Sequence, residues 1–188
     1  MNREEALSIV KEYVKNQKLI NHMLSVEAAM KWYAERMAPN EVENWQIAGL
    51  LHDFDWEIHP SAESHPKDGI PILKQRGVPD EIIDAILGHA THTGVPRNSL
   101  MAKSLFACDE ITGLVTACTL VRPSKSIYDL KVSSVKKKWK NKNFAAGANR
   151  EEMVQAAQEF EIDLWEHVGN IIASMKSIAP EIGLDGDN

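Results

Sequence analysis

Apolar residues recur along this chain at intervals of three and four, the signature of helices that turn one face inward. Leu7, Val10 and Val14 follow Asn2 in that rhythm, which predicts a first helix capped by Asn2. A second is expected from about Leu19 to Met37, with Met23, Val26, Met30 and Tyr33 on one face and Pro39 ending it. A third runs from Glu41 to Phe54, with Trp45, Ala48, Leu51 and His52 inward. A polar loop holding Pro60, Ser61, Ser64 and Pro66 follows, long enough to be functional. Two short helices come next: "PKDGIPILKQRG", closed by Gly77, and "PDEIIDAILGHATHTG", where Pro79 takes a first-turn position and Gly94 follows the end. A long apolar helix from about Ser99 to Val121 stops at "RPSKS". Leu130, Val132, Val135 and Trp139 then give a basic segment a helical spacing. A last helix opens at Asn149, with Glu152 three residues on, and runs to about Ile178, leaving "GLDGDN" as a frayed tail. No stretch alternates apolar and polar as a half-buried strand does. The chain reads as all-α, a helical bundle.

Length adds one expectation: 188 residues fill one core, so a single domain, 1–188, is predicted. The apolar share of 44% and charged share of 26% are those of ordinary globular proteins. The opening "MNREEALSIVKEYVK" carries charges through what would be the apolar part of a signal peptide, and no run is apolar enough to span a bilayer; both point to the cytoplasm and to no membrane partner. Cys108 and Cys118 stand ten apart in one helix, about 15 Å along its axis, too far for a disulfide; they read as small core residues. The net charge of −6 conceals eight basic residues against one acid between Arg122 and Lys142. A positive region so local suits one anion-facing surface and argues against general nucleic-acid binding.

Seven histidines give the candidate chemistry. His22 lies mid-helix among apolar neighbours. His52 and Asp53 adjoin at a helix end in "AGLLHDFDWEIHP". His65 closes the loop, His89 and His92 sit near another helix end, and Asp109 is embedded in "SLFACDEITGLV". A carboxylate in so apolar a helix needs a partner, and a metal ion would serve. Taken singly, His22 reads as a satisfied core histidine and Asp109 as an acid paired with Lys103.

Taken as an ordered set, His22, the pair His52 and Asp53, and Asp109 resemble the HD superfamily of metal-dependent phosphohydrolases. The resemblance runs from about His22 to Lys125. "AGLLHD" is similar to the family's apolar approach to its pair, and "HPKDG" around His65 and "IIDAILGHA" ending at His89 resemble the extra histidine motifs of its two-metal members. It implies an HD-type helical core over about 19–125, with the basic and C-terminal helices, 126–180, packed on it. It also implies one or two divalent transition metal ions (Mn, Fe, Co, Ni or Zn), which neutral imidazole and carboxylate suit. His22, His52, Asp53 and Asp109 would hold the first ion; Asp53 would bridge to a second on His65 and His89.

Around that set, Asp55 and Glu57 are expected to include a catalytic proton-transfer group, against the plainer readings of a solvated loop acid or a hydrogen bond to a ligand histidine. His59, beside Pro60, reads as surface, and His167 as ordinary surface or core. His92 is expected to be a further ligand or a substrate contact. Arg122 and Lys125 frame an Arg-Pro turn similar to one in two-metal relatives and are expected to clamp a phosphate, with Lys103 reaching the same pocket. Lys136 to Lys138 read as a solvated face anchored by Trp139. Trp32, Trp45, Trp56 and Trp165 fit either core or pocket. The expected function is hydrolysis of a nucleotide or other small phosphate ester by a metal-activated water. Two other readings stay open: a mixed-valence di-iron oxygenase of the same superfamily, and a non-catalytic domain that binds a phosphorylated ligand.

Overall fold

The computed structural model describes residues 1–186, and its regular elements are all helical. They are α1 (Arg3–Tyr13), α2 (Gln17–Met37), α3 (Val42–Leu51), α4 (Ile70–Gln75), α5 (Asp80–His89), α6 (Leu100–Leu120), α7 (Val132–Trp139), α8 (Arg150–Glu159) and α9 (Leu164–Lys176). Two 3-10 turns, Lys67–Gly69 and Thr91–Thr93, precede α4 and follow α5. No helix among the described residues is long and apolar enough to cross a membrane.

The two 21-residue helices, α2 and α6, form the spine. Helices α3 and α9 pack on α2, and α5, α8 and α9 on α6. Their inward residues, Met23, Val26, Met30, Leu105, Cys108, Ile111 and Val115 among them, are fully or nearly fully buried. Burying each large aliphatic side chain stabilises the fold by about 1.5–3 kcal/mol relative to leaving it in water. The approach of α3 to α2 is especially close. A Cβ placed on Gly49 would lie 2.9 Å from the Glu27 backbone, so only glycine lets the two helices meet there. That contact sets how near His52 comes to His22.

Local signals explain most boundaries. Asn2 and Glu5 form a reciprocal capping box on α1, Asn149 caps α8, and Gly77 closes its turn in the left-handed region at φ 75°. The third helix stops at Leu51, and residues from His52 to His59 form successive turns instead of continuing to Phe54. The expected last helix is two: Glu161 takes a left-handed φ of 57°, Ile162 N–H returns to the Ala157 carbonyl, and Asp163 starts α9 by accepting from Trp165 and Glu166 N–H. The Asp163 cap was readable in "DLWE" but hidden by continuous apolar spacing. The tail, too, differs from expectation. Leu184 is buried, its carbonyl accepts from Ile127 N–H at 2.8 Å, and Asp185 pairs with Ser126. The final two residues of "GLDGDN", Asp187 and Asn188, lie outside the described residues.

His167 is core. Its Nε2–H donates to the Ala107 carbonyl (2.8 Å) and its Nδ1 accepts from the Tyr33 hydroxyl (2.6 Å), so α9 is pinned to α6 and α2 at one point. Burial pushes this imidazole down to about 4.

Two predictions come from this packing. Gly49→Ala should lower stability by about 1–3 kcal/mol, as overpacking does, read as a reduced thermal midpoint. His167 is neutral when folded and titrates near 6.5 when unfolded, so the unfolded chain binds the extra proton between those values and stability falls as pH drops from about 6.5 toward 4. The loss is on the order of 3 kcal/mol. The thermal-midpoint gap between wild type and His167→Gln should therefore shrink as pH falls from 7 to 5; a gap that stays constant would contradict it.

Candidate metal centre

Four helices and one loop bring six side chains to one point. His22 projects from α2, His52 and Asp53 from the end of α3, His65 from the loop before α4, His89 from the last position of α5, and Asp109 from the middle of α6. His22 Nε2 lies 3.2 Å from His52 Nε2 and 3.0 Å from Asp109 Oδ1; Asp53 Oδ2 lies 3.5 Å from His52 Nε2 and 3.8 Å from His22 Nε2. On the other side, Asp53 Oδ1 lies 3.3 Å from His65 Nε2 and 3.6 Å from His89 Nε2, and those two nitrogens are 3.3 Å apart. His52 is wholly buried, and His65 and His89 nearly so.

The outer ring nitrogens explain why the Nε2 atoms face inward. His52 Nδ1–H donates to the Gly49 carbonyl (2.8 Å), His89 Nδ1–H to the Ile86 carbonyl (2.5 Å), and His65 Nδ1–H to Asp55 Oδ1 (2.8 Å). His22 Nδ1–H points at Thr112 Oγ1 (3.4 Å), whose own hydroxyl donates to the Asp109 carbonyl (2.7 Å). With Nδ1 holding the proton, each Nε2 presents a lone pair. Lone pairs facing each other at 3.2 and 3.3 Å beside two carboxylates repel unless a cation lies among them.

Protons are one such cation. Burial pulls the His52 ring down, but the Asp53 and Asp109 carboxylates outweigh it and hold the ring well above the usual imidazole range. His65 is likewise pushed up to about 9 by Asp53 and Asp55 against its burial. Asp53 and Asp109 are held far below the ordinary carboxylate range by the neighbouring histidines, which overcome the opposing effect of burial. A divalent metal ion is the other cation, and the donors fit it. Two ligands each about 2.1 Å from one ion, at angles between octahedral and tetrahedral, lie about 3.0–3.4 Å apart. The separations, 3.0–3.8 Å in the group with Asp109 and 3.3–3.6 Å in the other, overlap that range. His22, His52 and Asp53 form one group able to hold an ion, with Asp109 Oδ1 beside it; Asp53, His65 and His89 form the other.

Asp55 has a different place from the one expected of a proton-transfer group. It is fully buried and away from the cleft, its Oδ1 fixes the His65 ring, and its Oδ2 has no hydrogen-bond partner among the described residues. Gly69 of "HPKDG" makes room for it: a Cβ there would lie 2.7 Å from the Asp55 carboxylate. Glu57 is corrected more sharply. Its carboxylate accepts Lys15 N–H (3.0 Å) and Asn16 N–H (2.6 Å), so it braces the turn between α1 and α2 rather than the cluster.

The cluster floors a cleft of about 410 Å³ whose walls include Trp56, His92, Phe106, Glu110, Gly113 and Glu152. His92 lines it and donates Nε2–H to the His65 carbonyl (2.8 Å). His59 does not line it. Nor does any Lys or Arg among the described residues, so the structure does not bring the residues of the expected phosphate clamp to this cleft. Arg122 is bound to Asp129 (Nη2 to Oδ2, 2.9 Å), Lys125 sits exposed in the following turn, and Lys103 is outside the lining. Glu110 and Thr112 escaped the sequence reading, although both fall within three residues of Asp109 on the same helix. Burial, aided by the adjoining Asp109 carboxylate, pushes Glu110 up to about 7.

These placements separate the two acids. Asp55→Asn should weaken the second ion by about 10–100-fold in titration calorimetry while leaving the first unchanged. Glu57→Gln should lower the thermal midpoint and leave metal content intact; loss of metal in that variant would overturn its assignment to the α1–α2 turn.

Comparison with known proteins agrees with the geometry. A family model described as HD domain matches residues 19–114, a span that contains all six of these side chains. No curated protein and no solved structure matches the chain. With just over half of its length matched, including the complete His and Asp set, the chain belongs to the HD-domain family.

Proposed function

We propose that this protein is a metal-dependent phosphohydrolase acting on a small phosphate ester. The observation that carries the reading is the split of Asp53, whose Oδ2 faces His22 and His52 while Oδ1 faces His65 and His89. One carboxylate shared by two ligand groups is how a protein sets two cations side by side. Divalent ions held there would lower the pKa of water toward neutrality and stabilise charge on a phosphoryl group. The chain's own contribution is orientation. Asp55 fixes the His65 ring, Thr112 the His22 ring, and the backbone carbonyls of Gly49 and Ile86 the other two. Glu110 and Glu152, on the cleft wall, are the carboxyls placed to take or give a proton.

The cleft's lack of Lys and Arg bears on the substrate. Offsetting phosphoryl charge would fall to the bound cations, which favours a single phosphoryl group over the triphosphate of a nucleotide. The same six ligands also fit, as a second reading, a di-iron oxygenase, and the cation-poor cleft would then favour an uncharged polyol.

The test is metal analysis of the purified protein with a phosphatase and phosphodiesterase screen. Two ions per chain and phosphate release are expected, with turnover reduced at least about 100-fold in Asp53→Ala, the loss typical of removing a metal-site group. Unchanged turnover in that variant would refute the mechanism. Iron-dependent oxygen consumption without phosphate release would replace it with the oxygenase.

A further inference from the structure

Gly113 lies one turn beyond Asp109, in the interior of α6, and is exposed. Glycine there weakens a helix relative to alanine, so a reason for it is expected. At Gly49 the reason is a neighbouring backbone 2.9 Å from where a Cβ would stand. At Gly113 nothing of the protein lies within 4 Å of that position. The space beside it is the cleft.

That space has a second side. Gly113 and His22 also border a separate, mostly apolar groove of about 380 Å³ between α2, α6 and the C-terminal turn, walled by Leu120, Ile182 and Leu184. The groove is built rather than loose. Asn21 Nδ2–H donates to the Ile182 carbonyl (3.0 Å) and Ile127 N–H to the Leu184 carbonyl (2.8 Å), fixing the turn against α2 and the segment after α6. Leu120 is 48% exposed although it faces this apolar wall. From Gly113 to Leu120 the helix advances about 10 Å, the extended length of roughly eight methylene carbons.

We propose that the substrate lies across Gly113, with its phosphoryl end at the His and Asp cluster and an aliphatic chain in the groove at Leu120, Ile182 and Leu184. The substrate class is then a soluble alkyl phosphate, and Gly113 is a specificity-determining residue. Any side chain at 113 would stand between the two cavities. The inference rests on the phosphohydrolase reading for the phosphoryl end alone; the groove and the border it shares with the cleft at Gly113 and His22 are independent of turnover.

The experiment is calorimetric titration of the full, metal-loaded chain with inorganic phosphate and with methyl, butyl and octyl phosphate. Affinity should rise at least tenfold from methyl to octyl in the wild type. Gly113→Leu and, as a second variant on the exposed rim, Leu120→Asp should each bring octyl phosphate to within about threefold of methyl phosphate, and Leu120→Asp should do so with inorganic phosphate binding unchanged. Melting of metal-free Gly113→Ala should give a thermal midpoint at or above wild type, because nothing in the protein occupies that space. Wild-type affinity that is independent of chain length, full chain-length dependence in Leu120→Asp, loss of inorganic phosphate binding in Leu120→Asp, or a lowered midpoint in Gly113→Ala would each overturn the inference. Octyl phosphate that binds as expected but is not hydrolysed would instead remove the hydrolase reading and leave the groove standing.

Discussion

Four imidazole lone pairs and two carboxylates held within a few ångströms of Asp53 repel one another, and the helices around them have to be arranged against that repulsion. The cost is met in two ways. A cation placed among the donors turns repulsion into attraction, and hydrogen bonds on the far side of each ring keep the donors from swinging away. The second device is visible at every histidine: Gly49 and Ile86 carbonyls, Thr112 and Asp55 each take one Nδ1 proton. Because two of these acceptors are helix backbone carbonyls, the site's geometry is fixed by the same hydrogen-bonded frame that makes α3 and α5.

This dependence explains what could be read from residue order. Residues that project from helices, His22, His52, His89 and Asp109, stand where helical spacing puts them, and their order along the chain was enough to connect them. Some side chains whose position follows from a turn stand elsewhere than spacing suggests. Glu57 sits four residues beyond Asp53 in an acidic stretch, yet the turns after Leu51 rotate it to the far side, where two free N–H groups of the α1–α2 junction hold it. Arg122 looked free to reach an anion, but Asp129, seven residues on, folds back and occupies it. Periodicity also missed the break between α8 and α9, since apolar spacing continues across Glu161 while its backbone does not. Spacing reports which face a residue lies on; it does not report which neighbour a loop returns.

Electrostatics then narrows the chemistry. The basic segment from Arg122 to Lys142 lies outside the cleft lining, and the residues that do line it include Asp53, Asp109, Glu110 and Glu152. The wall is acidic, and the chain's own positive charges lie elsewhere.

Stability and site also share one helix. Near its middle α6 presents the Ala107 carbonyl to His167 and, two residues later, Asp109 to His22. Tyr33, which donates to His167, lies on α2 with His22, about 16 Å away along the axis. The buried Tyr33, His167 and Ala107 chain thus clamps α2, α9 and α6 in the apolar interior, and His22 with Asp109 meets between the same two long helices nearer the cleft. A shift of α6 along α2 large enough to part His22 from Asp109 would also break the His167 hydrogen bonds. The donors are therefore preorganised by core packing, which makes the distance between α2 and α6 a quantity set by the whole bundle rather than by the ion it receives.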